Sequence, residues 1–330
     1  MIIFFTIFTS INLIIYFKRE FFIKWFNIYD LPDSNRKQHK TKVSVFGGSI
    51  VLINLIILLF FILFSDYKFS EIIENNRNLF SIFIISIFVY IVGLFDDKLL
   101  IKNNVKFLSL MVLIFLSLLI DNEIILNKIN FSWINREILL LNFSLTFTVL
   151  CILTFMNSFN FLDGIDLLCG LYALIIFLIF FYLTESIFFI PFIFSLIIFC
   201  VLNYKKRLFL GNSGAFLISF LISIFMIKTY KLNIIQTEQI IIIFLLPILD
   251  NLRVFYVRFI NKRNILLPDN NHLHHLLIKK FNNLTAVSII LTIIFIPYLI
   301  SNFLSIFYSL IVIQIIIYYL IIYKFKKIVN

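Results

Sequence analysis

Predominantly apolar runs of about 16 to 22 residues recur along nearly all of the 330-residue chain, and each is roughly what a helix needs to cross the hydrocarbon core of a bilayer. With 62% of its residues hydrophobic, 14% charged, 44 Phe and a mean hydropathy of +1.06, the chain carries more apolar side chain than a soluble domain of this size can bury. The expected fold is therefore all-α and integral to the membrane: a single polytopic helical bundle over residues 1–330, with nothing left over for a soluble domain. Eleven spans are expected, at approximately 1–17, 45–64, 79–95, 105–120, 139–157, 167–183, 187–203, 210–227, 239–255, 284–300 and 303–323. The first has no basic residue ahead of it and no small-residue cleavage site before Lys18 and Arg19, so it is expected to stay as an anchor.

Basic residues are retained on the cytoplasmic side of a membrane. Placing the N-terminus outside and the C-terminus inside puts 22 of the 28 Lys and Arg on one face and six on the other. The net charge of +11 then reflects topology, and no nucleic-acid partner is expected. Cys151, Cys169 and Cys200 lie in or beside apolar spans without C-x-x-C spacing, which argues against a disulfide or zinc site.

The scarce residue types gather on the basic face. All four His, all seven Gly and every Asp except Asp66 and Asp121 fall in or next to its loops, whereas every Glu but Glu20 lies elsewhere. Solvation of loops alone would not sort Asp from Glu or concentrate Gly. Each polar island still has a plain reading of its own: "GLFDDK" (93–98) a solvated helix end, "NSFNFLDGID" (157–166) a capped turn in a short inward loop, "FLGNSGAF" (209–216) a Gly-rich turn into a helix, "PDNNHLHH" (268–275) a surface loop or a metal site. Together they equip one face for phosphate. Adjacent carboxylates such as Asp96 and Asp97 hold hydrated Mg²⁺ or act as a base, glycine turns and helix N-termini admit phosphate oxygens, and His and Lys donate to a diphosphate.

In this order and on this face, the islands, with "DLPDSNRKQH" ahead of Gly47 and "PILDNLRVFYVR" at 247–258, resemble the polyprenyl-phosphate N-acetylhexosamine-1-phosphate transferase family, over nearly the whole chain. The resemblance implies transfer of a phosphosugar from a UDP-N-acetylhexosamine to polyprenyl phosphate with release of UMP, a requirement for Mg²⁺ (Mn²⁺ in its place), and a cytoplasmic active site in a bacterial inner membrane. A homodimer is compatible with it. By position, Asp96 and Asp97 would handle the lipid phosphate, one of them as base, and Asn160 would help hold the metal. Asp163, a catalytic candidate, would line the nucleotide pocket with Gly164 and Asp166, and Phe209 would stack on uracil. Lys40 and Lys106 would contact phosphate or nucleotide, and His272, His274 and His275 would hold the diphosphate. The histidine loop looks more like the branch that starts O-antigen, common-antigen or teichoic-linker synthesis than the peptidoglycan branch using UDP-MurNAc-pentapeptide.

Three departures stand out. Asn212 occupies the place of a usual metal-binding Asp, Lys42 and Ser44 stand where Pro is common before Gly47, and Asn270 stands where Arg often follows Pro-Asp. Asn212 is expected either to ligate the metal through its amide oxygen or to cap the turn. Outside this class, a lipid or solute transporter is the alternative, but its ionisable groups would sit mid-span, whereas these spans are nearly free of charge.

Overall fold

A computed structural model describes residues 2–30, 42–65, 69, 72–73, 75–133, 137–262 and 271–326. Thirteen helices make up the bundle: α1 (Ile2–Phe17), α2 (Arg19–Phe26), α3 (Gly47–Phe64), α4 (Asn76–Leu99), α5 (Asn103–Ile120), α6 (Ser144–Leu162), α7 (Leu168–Thr184), α8 (Ile190–Tyr204), α9 (Gly211–Lys231), α10 (Thr237–Ile260), α11 (Leu273–Ile278), α12 (Asn283–Ser301) and α13 (Phe307–Lys326). Two short antiparallel pairs join them, β1 (Tyr29–Asp30) with β2 (Val43–Ser44) and β3 (Lys128–Ile129) with β4 (Ile138–Leu139).

Every span expected from the sequence has its helix, and among the described residues nine are long and apolar enough to cross a membrane on their own. The other two are shorter. Helix α1 bends by 74° into α2, and α7 has 17 residues. The chain is thus a multi-pass membrane protein built of helices, which is what a bilayer demands, since no water is present there to satisfy open backbone groups.

Helix α9 is the axis of the bundle, with 94% of its apolar window buried. Three of its hydroxyls turn back on its own carbonyls: Ser219 Oγ donates to Ala215 O (2.6 Å), Ser223 Oγ to Ser219 O (2.8 Å) and Thr229 Oγ1 to Phe225 O (2.9 Å). A buried helix can therefore carry them without orphaned donors. Glycine lets its neighbours approach. A Cβ on Gly93 of α4 would strike the Ser213 backbone, and one on Gly48 of α3 would strike that of Gly214, so both helices cross the start of α9 at backbone contact, as small residues permit in membranes.

The ends of the bundle differ. At one lie the β3–β4 hairpin, Asp121 and the start of α10; at the other, called here the site end, α4, α6 and α10 finish and α9 and α11 begin.

Candidate active site

The islands that the sequence scatters over nearly 180 residues come together at the site end around one cavity of about 610 Å³. Asp96, Asp97, Lys106, Asn160, Asp163, Gly164, Asp166, Phe209, Asn212, His272 and His275 all line it. His274 sits just behind, its Nε2 against Gly164. Lys40 lies outside the described residues, as do His39 and residues 268–270 of the histidine loop.

Helix ends place the carboxylates. Asp97, in the last turn of α4, accepts from the backbone N–H of Asn212 (2.8 Å) and of Ser213 (3.0 Å). It thereby caps the first turn of α9, where orphan amides and the positive dipole end favour an anion. That contact requires Gly211, whose φ of +75° and want of a side chain let the turn close against the Asp97 carboxyl. Asp96 pairs with Lys106 Nζ at 2.9 Å, so the two adjacent acids have separate tasks: one neutralises a lysine, the other anchors a helix start.

Strand β2 sets the opposite wall. Phe209 N–H donates to Ser44 O (2.9 Å), and Phe209 O accepts from Gly47 N–H (3.0 Å). Ser44, at one of the positions where Pro is common, thus supplies a carbonyl to the Phe209 segment through a parallel bridge of Ser44 and Leu208. The turn after α6 is held from two other helices: Leu167 N–H donates to Asn203 Oδ1 (2.6 Å), and Asn283 Nδ2 to Asp166 O (2.9 Å). Asn160, expected in a loop, instead lies in the last turn of α6, so that it and Asn157 present amides from a rigid helix.

Asp163 closes α6 with its side chain solvent-accessible through the cavity, while the protein packed around the carboxyl partly desolvates it. Burial pushes its carboxyl up to about 7, with the charges of Asp97 and Asp166 adding to the shift and the Gly211 N–H opposing it. A carboxyl poised near neutrality can take or hold a proton during turnover.

His272 is 3% exposed and lies flat on Phe161, ring centroids 5.1 Å apart and planes within 20°. His274 stacks parallel to it at 5.7 Å. Burial, before the charges of His275 and His272, holds His274 well below the ordinary imidazole range, so it stays neutral. The Nε2 atoms of His272 and His274 are buried without a protein partner, and since buried polar atoms are nearly always satisfied, these have hydrogen-bonding capacity left for water or a ligand.

The donor set suits a hard divalent cation. Among the described residues no three His, Cys, Asp or Glu close on one point, yet Mg²⁺ typically uses one or two carboxylates and completes its shell with water and substrate phosphate. Asp97 would hold it, and Asn160 and Asn212 offer amide oxygens from the same walls.

One residue that sequence reasoning missed completes the site. Asp250 on α10 accepts from His272 Nδ1 (2.9 Å), the Leu273 N–H (3.1 Å), Arg253 Nη2 (2.9 Å) and Tyr318 Oη (2.9 Å). A signal was present, an Asp and an Arg three apart after a long apolar run in the same helix.

The sequence matches the family profile described as glycosyl transferase family 4 over residues 79–230, which take in the GLFDDK, NSFNFLDGID and FLGNSGAF segments but not the histidine loop. It is 22% identical over 202 residues to the undecaprenyl-phosphate alpha-N-acetylglucosaminyl 1-phosphate transferases of Escherichia coli K12 and Shigella flexneri. The alignment takes in 57% of this chain and 55% of each relative, so it spans about half their length. The family resemblance read from the motifs is upheld by both comparisons.

Proposed function

We propose that this chain, similar to glycosyl transferase family 4, transfers an N-acetylhexosamine 1-phosphate from its UDP-sugar to polyprenyl phosphate at the cytoplasmic face of a bacterial membrane, releasing UMP. The observation that carries the reading is the single cavity in which Asp97, Asp163 and Asp166 face His272 and His275. Carboxylates on one wall and imidazoles on the other are equipment for an anion that arrives with its counter-ion. The named relatives act on undecaprenyl phosphate and an N-acetylglucosaminyl 1-phosphate, in keeping with this chemistry.

Transfer of this kind needs alignment and charge neutralisation more than new covalent groups. An oxygen of the acceptor phosphate forms a bond to the β-phosphorus of the sugar nucleotide as the bond from that phosphorus to UMP breaks. The products are a polyprenyl diphosphate sugar and UMP. A bound Mg²⁺ supplies charge neutralisation on the diphosphate. Asp163 takes the proton from an acceptor phosphate that arrives protonated, a transfer between groups of similar affinity, since a phosphate monoester loses its second proton at a pH of about 6. Asp97 holds the start of α9 and so fixes where Asn212 and Phe209 stand, Lys106 keeps Asp96 neutralised, and the Phe209 ring offers a face for the uracil.

The test is incubation of purified protein with polyprenyl phosphate, Mg²⁺ and a panel of radiolabelled UDP-sugars, followed by lipid extraction. Label in the lipid phase from a UDP-N-acetylhexosamine is expected. Labelling only from UDP-MurNAc-pentapeptide would move the chain to the peptidoglycan branch, and no labelling from any donor would defeat the reading.

A further inference from the structure

We propose that Asp250, clamped by Arg253 and Tyr318, is the positioning residue that aims His272 Nε2 into the cavity to meet the diphosphate of the nucleotide. This rests on the reading of the cavity as a sugar-nucleotide site. A carboxylate can only accept, so His272 Nδ1 carries the proton it shares with Asp250 Oδ2 at 2.9 Å, and Nε2 is left as the atom presented away from α10. Asp250 is itself fixed. Tyr318 Oη of α13 donates to its Oδ1 at 2.9 Å, and Arg253 Nη2 does so at 2.9 Å while Arg253 Nε reaches Tyr318 Oη at 2.6 Å.

The same group holds the backbone on both sides of the histidine. Leu273 N–H donates to Asp250 and Arg253 Nη2 to Asn271 O, so His272 cannot shift without breaking bonds that precede and follow it. Stacking of Phe161 and of His274 against the imidazole leaves it little rotation. Asp250 and His272 are 4% and 3% exposed, and a hydrogen bond sheltered from water holds its geometry better than one at a surface. Carboxylate–histidine pairs orient metal-bound imidazoles in the same way; here the imidazole would face a phosphate.

A plain clasp between α10, α11 and α13 would show the same bonds, and binding separates the two roles. UDP is titrated calorimetrically into the purified full-length protein, the Asp250→Asn, Asp250→Glu and Tyr318→Phe variants, and thermal midpoints are recorded alongside. Asp250→Asn is expected to weaken UDP by about tenfold or more, the loss that removing an orienting partner causes in comparable pairs. Asp250→Glu should recover part of it. Tyr318→Phe, which deletes one hydrogen bond and no charge, should weaken UDP by roughly two- to threefold, a typical single-bond effect, and it carries the test alone should Asp250→Asn fail to fold. UDP affinities unchanged while midpoints fall would overturn the positioning role in favour of the clasp, and so would a wild type that does not bind UDP. In turnover, KM for the UDP-sugar should rise in Asp250→Asn with KM for polyprenyl phosphate unmoved; a fall in kcat with both constants unchanged contradicts the proposal. A wild type that binds UDP but transfers nothing would break the transferase reading and leave the role of Asp250 standing.

Discussion

Both ends of the bundle gather charge, but they do so differently. At the end away from the cavity, Lys228 in the last turn of α9 sits 3.2 Å from Asp121 and 3.9 Å from Glu123, which also accepts an amide hydrogen bond from Asn78 at 2.7 Å. Opposite charges are matched there, and the cluster joins α4, α5 and α9. At the site end Asp97, Asp163 and Asp166 face one another across open space, and the Nε2 atoms of His272 and His274 lack protein partners. Taking ions out of water is costly at either end. Where opposite charges pair, the cost is offset within the fold; where like charges are gathered, a bound cation or ligand can offset more of it. The contrast therefore separates groups that hold the protein together from groups that serve a ligand.

That contrast breaks most sharply under paired substitutions. Asp163→Asn is expected to lower transfer by about 10²–10³-fold, the scale of removing one preorganised group from an active site, with the thermal midpoint little changed. Lys228→Met should do the reverse. It leaves Asp121 buried without its cation, which costs about 3–5 kcal/mol of stability, while turnover per folded molecule stays within about twofold because no site residue moves. Measuring both quantities for both variants decides it, and an inactive but stable Lys228→Met protein would erase the distinction.

A titration sharpens the same point. Because the Asp163 carboxyl is raised to about 7, the folded protein keeps its proton after the unfolded chain has lost it at about pH 4. The folded state thus binds more protons between these values, and stability falls as pH rises through that window. Asp163→Asn should remove this part of the slope in thermal midpoint against pH, and Mg²⁺ should oppose it in the wild type. Identical slopes in the two proteins would show that Asp163 is not held protonated.

Smaller effects probe the cavity walls. Gly164→Ala places a methyl group against His274 Nε2, and overpacking of that kind costs about 1–3 kcal/mol; weaker UDP binding with transfer still measurable is expected. Asn212→Asp should lower the Mg²⁺ concentration for half-maximal activity a few-fold if the amide is a ligand, since a carboxylate is the stronger hard-oxygen donor. Superimposable Mg²⁺ titrations would instead assign position 212 to the turn alone. The structure already gives part of that role to the backbone, as the Asn212 N–H donates to Asp97.

Much of this was legible in the sequence, because helices that span membranes announce themselves by length and because Asp, Gly and His are scarce elsewhere in the chain. The pair Asp96–Asp97 could be found as a motif, but its division of labour could not, since Lys106 lies one helix later and the Asn212 and Ser213 amides more than a hundred residues on. Asp250 was hidden for the same reason: its partners His272 and Tyr318 are 22 and 68 residues away, and no local period reports a contact made through tertiary packing. The assignment of Asn160 to a loop erred because polar residues at the end of a span read as its termination, whereas here they form the polar last turns of α6.

The central claim is that a phosphosugar, and not a sugar alone, crosses from nucleotide to lipid in the cavity of Asp97, Asp163 and His272. A UDP-N-acetylhexosamine carrying ³²P only at the β-phosphate, supplied with polyprenyl phosphate and Mg²⁺, tests it directly. The account predicts that the label passes into the lipid extract while the UMP released is unlabelled. Label retained in water-soluble UDP, with sugar in the lipid, would contradict it.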